Sequence, residues 1–246
     1  MERPLPPILA LENISKRFGA VVVADGIDLA LSEDEALGII GPNGAGKTTL
    51  FGIAAGTVAP DSGRVLFAGE DITRLAPERR CRKGIARSFQ IPQPFSGMTV
   101  FENVVVAAAF AGGASEASVY DACAELLERC GLADKANRRA GGLTLLDRKR
   151  LELARALATR PRVLLLDEVA GGLSEHECAA LVTLIKDVRA GGVSIVWIEH
   201  VVHALLAAVD RLLVLHGGKF IAEGDPRTVI RSPQVAEIYM GIEADA

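Results

Sequence analysis

Aromatic residues are scarce in this chain of 246 residues, at 4% with one Trp and two Tyr. An excess of basic charge is missing as well: 27 Lys and Arg stand against 31 Asp and Glu, a net charge of -4. Contacts to nucleic-acid phosphates need clustered Lys and Arg, so no nucleic-acid partner is expected. The short basic runs, Arg79–Arg80 to Lys83 and Arg148 to Arg150, read as solvated or partner-facing surface. Cysteine is sparse too. Cys81, Cys123, Cys130 and Cys178 fall at no zinc-ligand spacing, and scattered unpaired thiols fit a reducing, cytosolic compartment. The first twenty residues lack a basic-then-apolar secretory pattern. The longest apolar stretch, around Val104 to Ala111, is far too short to span a bilayer. A role at a membrane therefore calls for a partner, met from the cytosolic side.

What is present is a chain half hydrophobic, rich in Gly and near the globular average in charge, the profile of a packed α/β protein rather than a disordered one. Its length suits one large domain or a core with a smaller insertion. The first eighty residues read as short strands: "ILALENIS", "VVVADGIDLAL", "EALGII" and the turn-then-strand "APDSGRVLFAGEDI". From about Gln90 the pattern changes. Pro92 and Pro94 interrupt regular structure, helices are expected over 100–111 and 115–130 with Gly131 as a stop, and a further helix begins at Thr144. From Arg162 strands alternate with helices again. "VLLLDE" and "VSIVWIEH" are near-continuous apolar runs, as strands buried on both faces of a parallel sheet should be. No internal repeat is visible. The organisation is an α/β core, residues 1–89 and 160–246, interrupted by a helical segment, 90–159.

Two motifs carry chemistry. "GPNGAGKTT" (Gly41, Pro42, Asn43, Gly44, Ala45, Gly46, Lys47, Thr48, Thr49) fits G-x-x-x-x-G-K-[ST] between a strand and a helix. Glycines let successive N–H groups turn inward around an oxyanion, and the following helix adds its positive end. Lys47 is placed to reach β- and γ-phosphates and Thr48 to ligate Mg2+. The second motif delivers Asp167 to the end of a buried strand, where it can hold the Mg2+ water shell. Glu168, one residue on, can face an attacking water. Two adjacent acids after four apolar residues would be costly to bury unpaired. Together the motifs point to nucleoside triphosphate hydrolysis.

In order and spacing these motifs resemble the ATP-binding cassette (ABC) ATPases across essentially the whole chain. The resemblance implies a P-loop NTPase, RecA-like α/β core with an antiparallel β subdomain and an inserted α-helical subdomain. It implies ATP and Mg2+ as ligands. Phe18 in "KRFGA" occupies the position of an adenine-stacking aromatic. Gln90 in "ARSFQ" resembles the loop glutamine that senses Mg2+ and contacts the transmembrane partner, and His200 in "IVWIEH" the switch histidine that touches the γ-phosphate. Glu168 would then polarise water, His200 stabilise the transferring phosphoryl group, and Lys47 neutralise charge. "IARSFQIPQPFSGMTVFENVVVAA" and the tail "GDPRTVIRSPQVAEIYMGIEA" are similar to the ATPase subunits of branched-chain amino acid importers, in particular the longer of the two. Urea or short-chain amide importers and the lipopolysaccharide exporter are the alternatives. The implied partners are a second ATPase subunit (a heterodimer, or alternatively a homodimer), two transmembrane permease subunits and, indirectly, a periplasmic binding protein. The implied location is peripheral, on the cytoplasmic face of the inner membrane. Soluble ABC ATPases of DNA repair or translation carry coiled coils, zinc modules or tandem cassettes that this sequence lacks.

The departures lie in the signature, normally Leu-Ser-Gly-Gly-Gln, which in the family caps the nucleotide held by the opposite subunit. Here it reads Leu143, Thr144, Leu145, Leu146, Asp147. Thr144 keeps the hydroxyl, while two leucines replace glycines and add bulk at Cβ. Locally, Thr144-x-x-Asp147 reads as a capping box with a carboxylate favouring the helix dipole. That negative charge would disfavour a docking phosphate unless Arg148, Lys149 and Arg150 offset it. Either the leucines turn into the helical segment and the amides still serve, or this chain lends its partner a weakened signature. Val169 and Ser174 likewise replace the usual Pro and Asp after Glu168, and Ser174-x-x-Glu177 reads as a second capping box.

Overall fold

Strands with apolar residues at every position must be covered on both sides, and the computed structural model, which describes residues 6–112 and 116–237, is built around such strands. A six-stranded sheet has the order β10-β9-β3-β8-β7-β6. Its members are β3 (Ala36–Ile40), β6 (Ile85–Arg87), β7 (Val163–Asp167), β8 (Ser194–Ile198), β9 (Arg211–His216) and β10 (Lys219–Gly224). All neighbours pair in parallel except β9 with β10. Side chains alternate across the sheet with the period of two that a strand imposes. Leu37, Ile39, Val163, Leu165, Val196 and Ile198 enter one apolar cluster. Their neighbours Ala36, Ile40, Leu164, Leu166, Ile195 and Trp197 enter the other.

The first cluster is closed by a four-stranded antiparallel sheet, β2-β1-β4-β5, made of β1 (Leu9–Phe18), β2 (Val21–Leu31), β4 (Ser62–Phe67) and β5 (Glu70–Asp71). Helix α1 (Lys47–Ala55) lies in the same layer, with Leu50, Phe51 and Ile53 almost wholly buried. The second cluster is closed by helices. Between β6 and β7 run α3 (Val100–Gly112), a 3-10 turn over Glu116–Val119, α4 (Tyr120–Arg129) and α5 (Leu145–Ala158). The expected helix over 115–130 thus begins as a tighter turn, and Gly131 follows it with φ 66°, its N–H donating to Glu128 O at 2.9 Å. Residue 115 and the last part of the expected diagnostic tail, 238–246, lie outside the described residues. The helices α6 (Glu175–Ala190), α7 (Val202–Ala208) and α8 (Pro226–Ile230) complete the layer. Among the described residues no helix is long and apolar enough to cross a membrane. The four cysteines are unpaired, and burial pushes the Cys130 thiol up to about 12.

Ligands in sheets of this kind gather outside the carboxyl ends of the strands, and here the ends of β3, β7 and β8 carry the phosphate loop, Asp167–Glu168 and His200. The helix following β3 is held from below by a residue read above as surface. Arg80, in α2 (Pro77–Lys83), is only 1% exposed. Its guanidinium donates to Ile53 O at 2.6 Å and Ala54 O at 2.9 Å, at the last turn of α1, and to Thr73 O and Leu75 O. Helix C-terminal carbonyls lack intrahelical donors and attract cations, which offsets the burial that lowers the pKa of this group. The run of like charges concealed it, because burial depends on which α2 face meets α1. Replacing the side chain in Arg80→Met leaves these carbonyls unmet and is expected to lower unfolding stability by about 2–4 kcal/mol. Urea denaturation measures this, and a change within experimental error would remove Arg80 from that role.

Candidate nucleotide site

The phosphate loop takes its shape from contacts that exclude side chains. A Cβ on Gly41 would stand 2.2 Å from Leu215 O, and one on Gly46 2.2 Å from Val23 O. Gly46 also holds φ 104° and Gly44 φ 80°, both in the left-handed region. Pro42, Asn43 and Ala45 complete the loop, with Ala45 N donating to Pro42 O at 3.2 Å. Lys47 opens α1 and is 5% exposed, its ammonium donating to Gly41 O at 2.7 Å and Pro42 O at 3.0 Å. It thus spans the loop it is meant to serve. Burial lowers its pKa, partly countered by the charges of Glu168 and Asp167. Thr48 is exposed and Thr49 half-buried in the first turn of α1. The contact of Gly46 with Val23 brings the β1–β2 hairpin against the loop. At its tip Phe18, paired with Val21, is 52% exposed, and the Lys16 ammonium lies 5.3 Å from its ring centroid. An exposed aromatic there is free to meet a base.

At the end of β7, Asp167 is 3% exposed and its Oδ2 accepts from Arg87 at 2.7 Å. Glu168 leaves the strand with φ 48°, a conformation that costs a non-glycine residue energy and recurs at functional sites. Its N–H donates to Ile198 O at 2.9 Å. The strained turn aims its carboxylate at two residues that the sequence places at the phosphate site separately, one toward the γ-phosphate and one toward Mg2+. Oε1 meets His200 Nε2 at 2.6 Å, and Oε2 accepts from the Gln90 side-chain amide. Glu168, His200 and Gln90, drawn from positions 168, 200 and 90, form one cluster beside Lys47 and Asp167. His203 is exposed.

Three further residues hold this cluster, and sequence reading missed them. Glu199, 1% exposed, accepts from Ala170 N at 2.6 Å and His200 N at 2.9 Å, tying the turn after β7 to the turn after β8. The signal was available, since an acid ending a buried strand is what singled out Asp167. Lys149, expected at the surface, is 5% exposed and donates to Glu168 O at 3.4 Å. Burial lowers its pKa against the opposing charges of Glu199 and Glu168. Arg87 is the third, through its ion pair with Asp167.

The signature turn corrects several expectations. Thr144 caps α5, accepting from Asp147 N at 3.2 Å. The reciprocal half of the box is not made: the Asp147 carboxylate pairs with Lys135 at 2.9 Å and is 4% exposed. Its charge is therefore compensated internally and not presented to a phosphate. Leu143 is buried, but Leu145 does not turn into the helical segment; it is 44% exposed and lies over Gly172. Leu146 is half-buried. The second box is complete, Ser174 N donating to Glu177 Oε2 at 2.9 Å and Glu177 N to Ser174 Oγ at 3.4 Å.

A glycine-turned loop on a helix start, faced by a strand-end aspartate and a glutamate paired with histidine, defines a P-loop ATPase. Residues 24–171 match the family described as ABC transporter. The chain is 36% identical over 250 residues to the high-affinity branched-chain amino acid transport ATP-binding protein BraF of Pseudomonas aeruginosa, covering 96% of this chain and 98% of the relative. It is 34% identical over 250 residues to the corresponding LivG protein of Escherichia coli, with the same coverage. The ADP conformation of MJ1267, an ATP-binding cassette of an ABC transporter, superposes with a TM-score of 0.87 at 33% identity, covering 95% of this chain and 98% of that one. This chain belongs to the ABC transporter family and is one of its ATP-binding cassettes.

Lys149→Met removes a tether on the Glu168 carbonyl without touching the phosphate loop. Its kcat is expected to fall at least about tenfold, roughly 1.4 kcal/mol of barrier, with affinity for a non-hydrolysable ATP analogue changed less than about twofold. Equal losses in turnover and affinity would assign Lys149 a merely structural part.

Proposed function

We propose that the chain is the ATP-hydrolysing subunit of an importer for branched-chain or other hydrophobic amino acids. It works on the cytoplasmic face of the inner membrane with a second, different ATPase subunit, two permease subunits and a periplasmic binding protein. The observation that carries the catalytic part is the Glu168 carboxylate held by His200 and Gln90 at the mouth of the phosphate loop. Glu168 is the general base for the attacking water, and His200 orients it and faces the γ-phosphate. Lys47 exchanges its two loop carbonyls for phosphate oxygens. The names of the relatives, transport proteins for branched-chain amino acids, support the solute.

The donor set suits Mg2+. Among the described residues no group of three or more His, Cys, Asp or Glu could hold a metal alone. A site of Asp167, the Thr48 hydroxyl and the Gln90 amide is that of a cation completed by nucleotide phosphates and water. Bound there, the cation would neutralise phosphate charge.

The permease seat we assign to a cleft of about 430 Å³ between the sheet edge and the helical segment, lined by Phe89, Phe95, Val106, Phe110, Arg87 and Arg155. Phe89, Phe95 and Phe110 are each roughly half exposed, an apolar surface of the kind that marks a protein partner. It adjoins the Gln90 loop, so a permease element seated there is in reach of the catalytic cluster. With Leu145 exposed over Gly172, the signature offered to the partner's nucleotide is bulkier than glycine, and the partner's composite site is the slower of the two.

Glu168→Gln is expected to bind ATP yet hydrolyse it at least about 100-fold more slowly, the scale of a general base; turnover like the parent's would remove Glu168 from catalysis. In the assembled transporter, the double variant Leu145→Gly/Leu146→Gly should raise steady-state ATPase, and an unchanged rate would mean that the leucines do not limit the partner's site. The complex should be stimulated by binding protein loaded with leucine, isoleucine or valine. A response to none of these or other hydrophobic amino acids would overturn the solute.

A further inference from the structure

Arg87, the last residue of β6, touches both the metal-side carboxylate and the permease cleft. Its terminal nitrogen donates to Asp167 Oδ2 at 2.7 Å, and the two side chains are 11% and 4% exposed. The guanidinium stands 5.8 Å from the ring centroid of Phe51 and 5.3 Å from that of Phe89. Phe51 is core, 2% exposed, whereas Phe89 is 46% exposed and lines the cleft together with Arg87 itself. Arg87 Nε is buried with no hydrogen-bond partner.

These facts describe a cation held incompletely. A guanidinium and a carboxylate fit best as a two-bond fork, but here one nitrogen bonds and Nε is orphaned, a state that costs desolvation energy without return. Two aromatic faces supply the remaining hold, and one of them is open to any partner that enters the cleft. A positive group 2.7 Å from a buried carboxylate also cancels much of the field that a divalent cation would feel there, since charges interact strongly where water is excluded.

We propose that Arg87 is a latch on Asp167. It competes with the divalent cation for that carboxylate, and a permease element packing against Phe89 draws the guanidinium aside and frees the aspartate. The latch rests on the reading of Asp167 as the cation's carboxylate and of the cleft as the permease seat. It adds a route from cleft to metal separate from Gln90, which meets Glu168 instead.

The test is the metal linkage of nucleotide binding, measured by calorimetry on the isolated full chain. The affinity for a non-hydrolysable ATP analogue is determined in EDTA and with saturating Mn2+, and the ratio reads the metal's contribution. In Arg87→Met this ratio should rise at least about fivefold over the parent, because the competing charge is gone. Phe89→Ala, which leaves the ion pair in place but removes the cleft-side ring, should raise it by a smaller factor; it carries the test if Arg87→Met fails to fold. An unchanged or reduced ratio in both variants overturns the latch, a reduced one because Arg87 would then be aligning Asp167 for the metal. Assembly with the permease subunits should raise the ratio of the parent chain and leave that of Arg87→Met where it was. No rise on assembly overturns the connection to the cleft. A parent chain that binds the analogue in neither condition overturns the nucleotide-site reading itself, and this control separates the two failures.

Discussion

Two-sided burial of the parallel sheet is the constraint on which everything else in this molecule depends. With Leu37 and Ile39 committed to one apolar cluster and Ala36 and Ile40 to the other, β3 has no freedom of register. A slip by one residue would exchange its faces. The same holds for β7 and β8. Because these strands run parallel, their carboxyl ends finish at one edge, and polar residues that cannot enter the sheet collect there. The phosphate loop, Asp167, Glu168, Glu199 and His200 are neighbours for that reason. Glu168 adopts its left-handed turn at this edge, where the N–H is already given to Ile198 O.

The edge is also where three layers meet, and buried charged groups tie them together there. Glu199 ties the turn after β7 to the turn after β8. Lys149 ties that turn to α5, whose first residues form the signature. Arg87 ties Asp167 to the rim of the apolar cleft. Two of these tethers lead out of the cluster: Lys149 to α5, and Arg87 to the rim of the cleft beside the Gln90 loop. A buried charge is expensive to leave unpaired, and each of these is met by a partner at the cluster.

Much of this was legible in the linear sequence. The strands from Val21 to Leu31 and at "VLLLD", the loop Gly41 to Thr49 and the capping role of Thr144 and Ser174 are local matters of hydrophobic period, turn chemistry and hydrogen bonds three residues apart. Glu168 is legible from the acidic end of a buried strand, His200 and Gln90 only from the order of the motifs, and the structure brings the three together. The burial of Arg80 and Lys149 is not legible in the sequence, because each sits in a run of like charges and one-dimensional spacing does not say which member faces inward. Asp147 was expected to serve its own helix and instead pairs with Lys135, twelve positions away.

The sequence by itself determined the elements, their order and the chemistry of the phosphate loop, because those follow from side-chain period and from where glycine permits backbone turns. Only the tertiary structure decided which charges are buried and what they hold: Arg80 on α1, Lys149 on Glu168, Arg87 on Asp167. It also decided that Leu145 faces outward over Gly172. The physical reason is that burial is a property of packed surfaces. The ionic partners of a buried group lie far along the chain and meet only when the layers close.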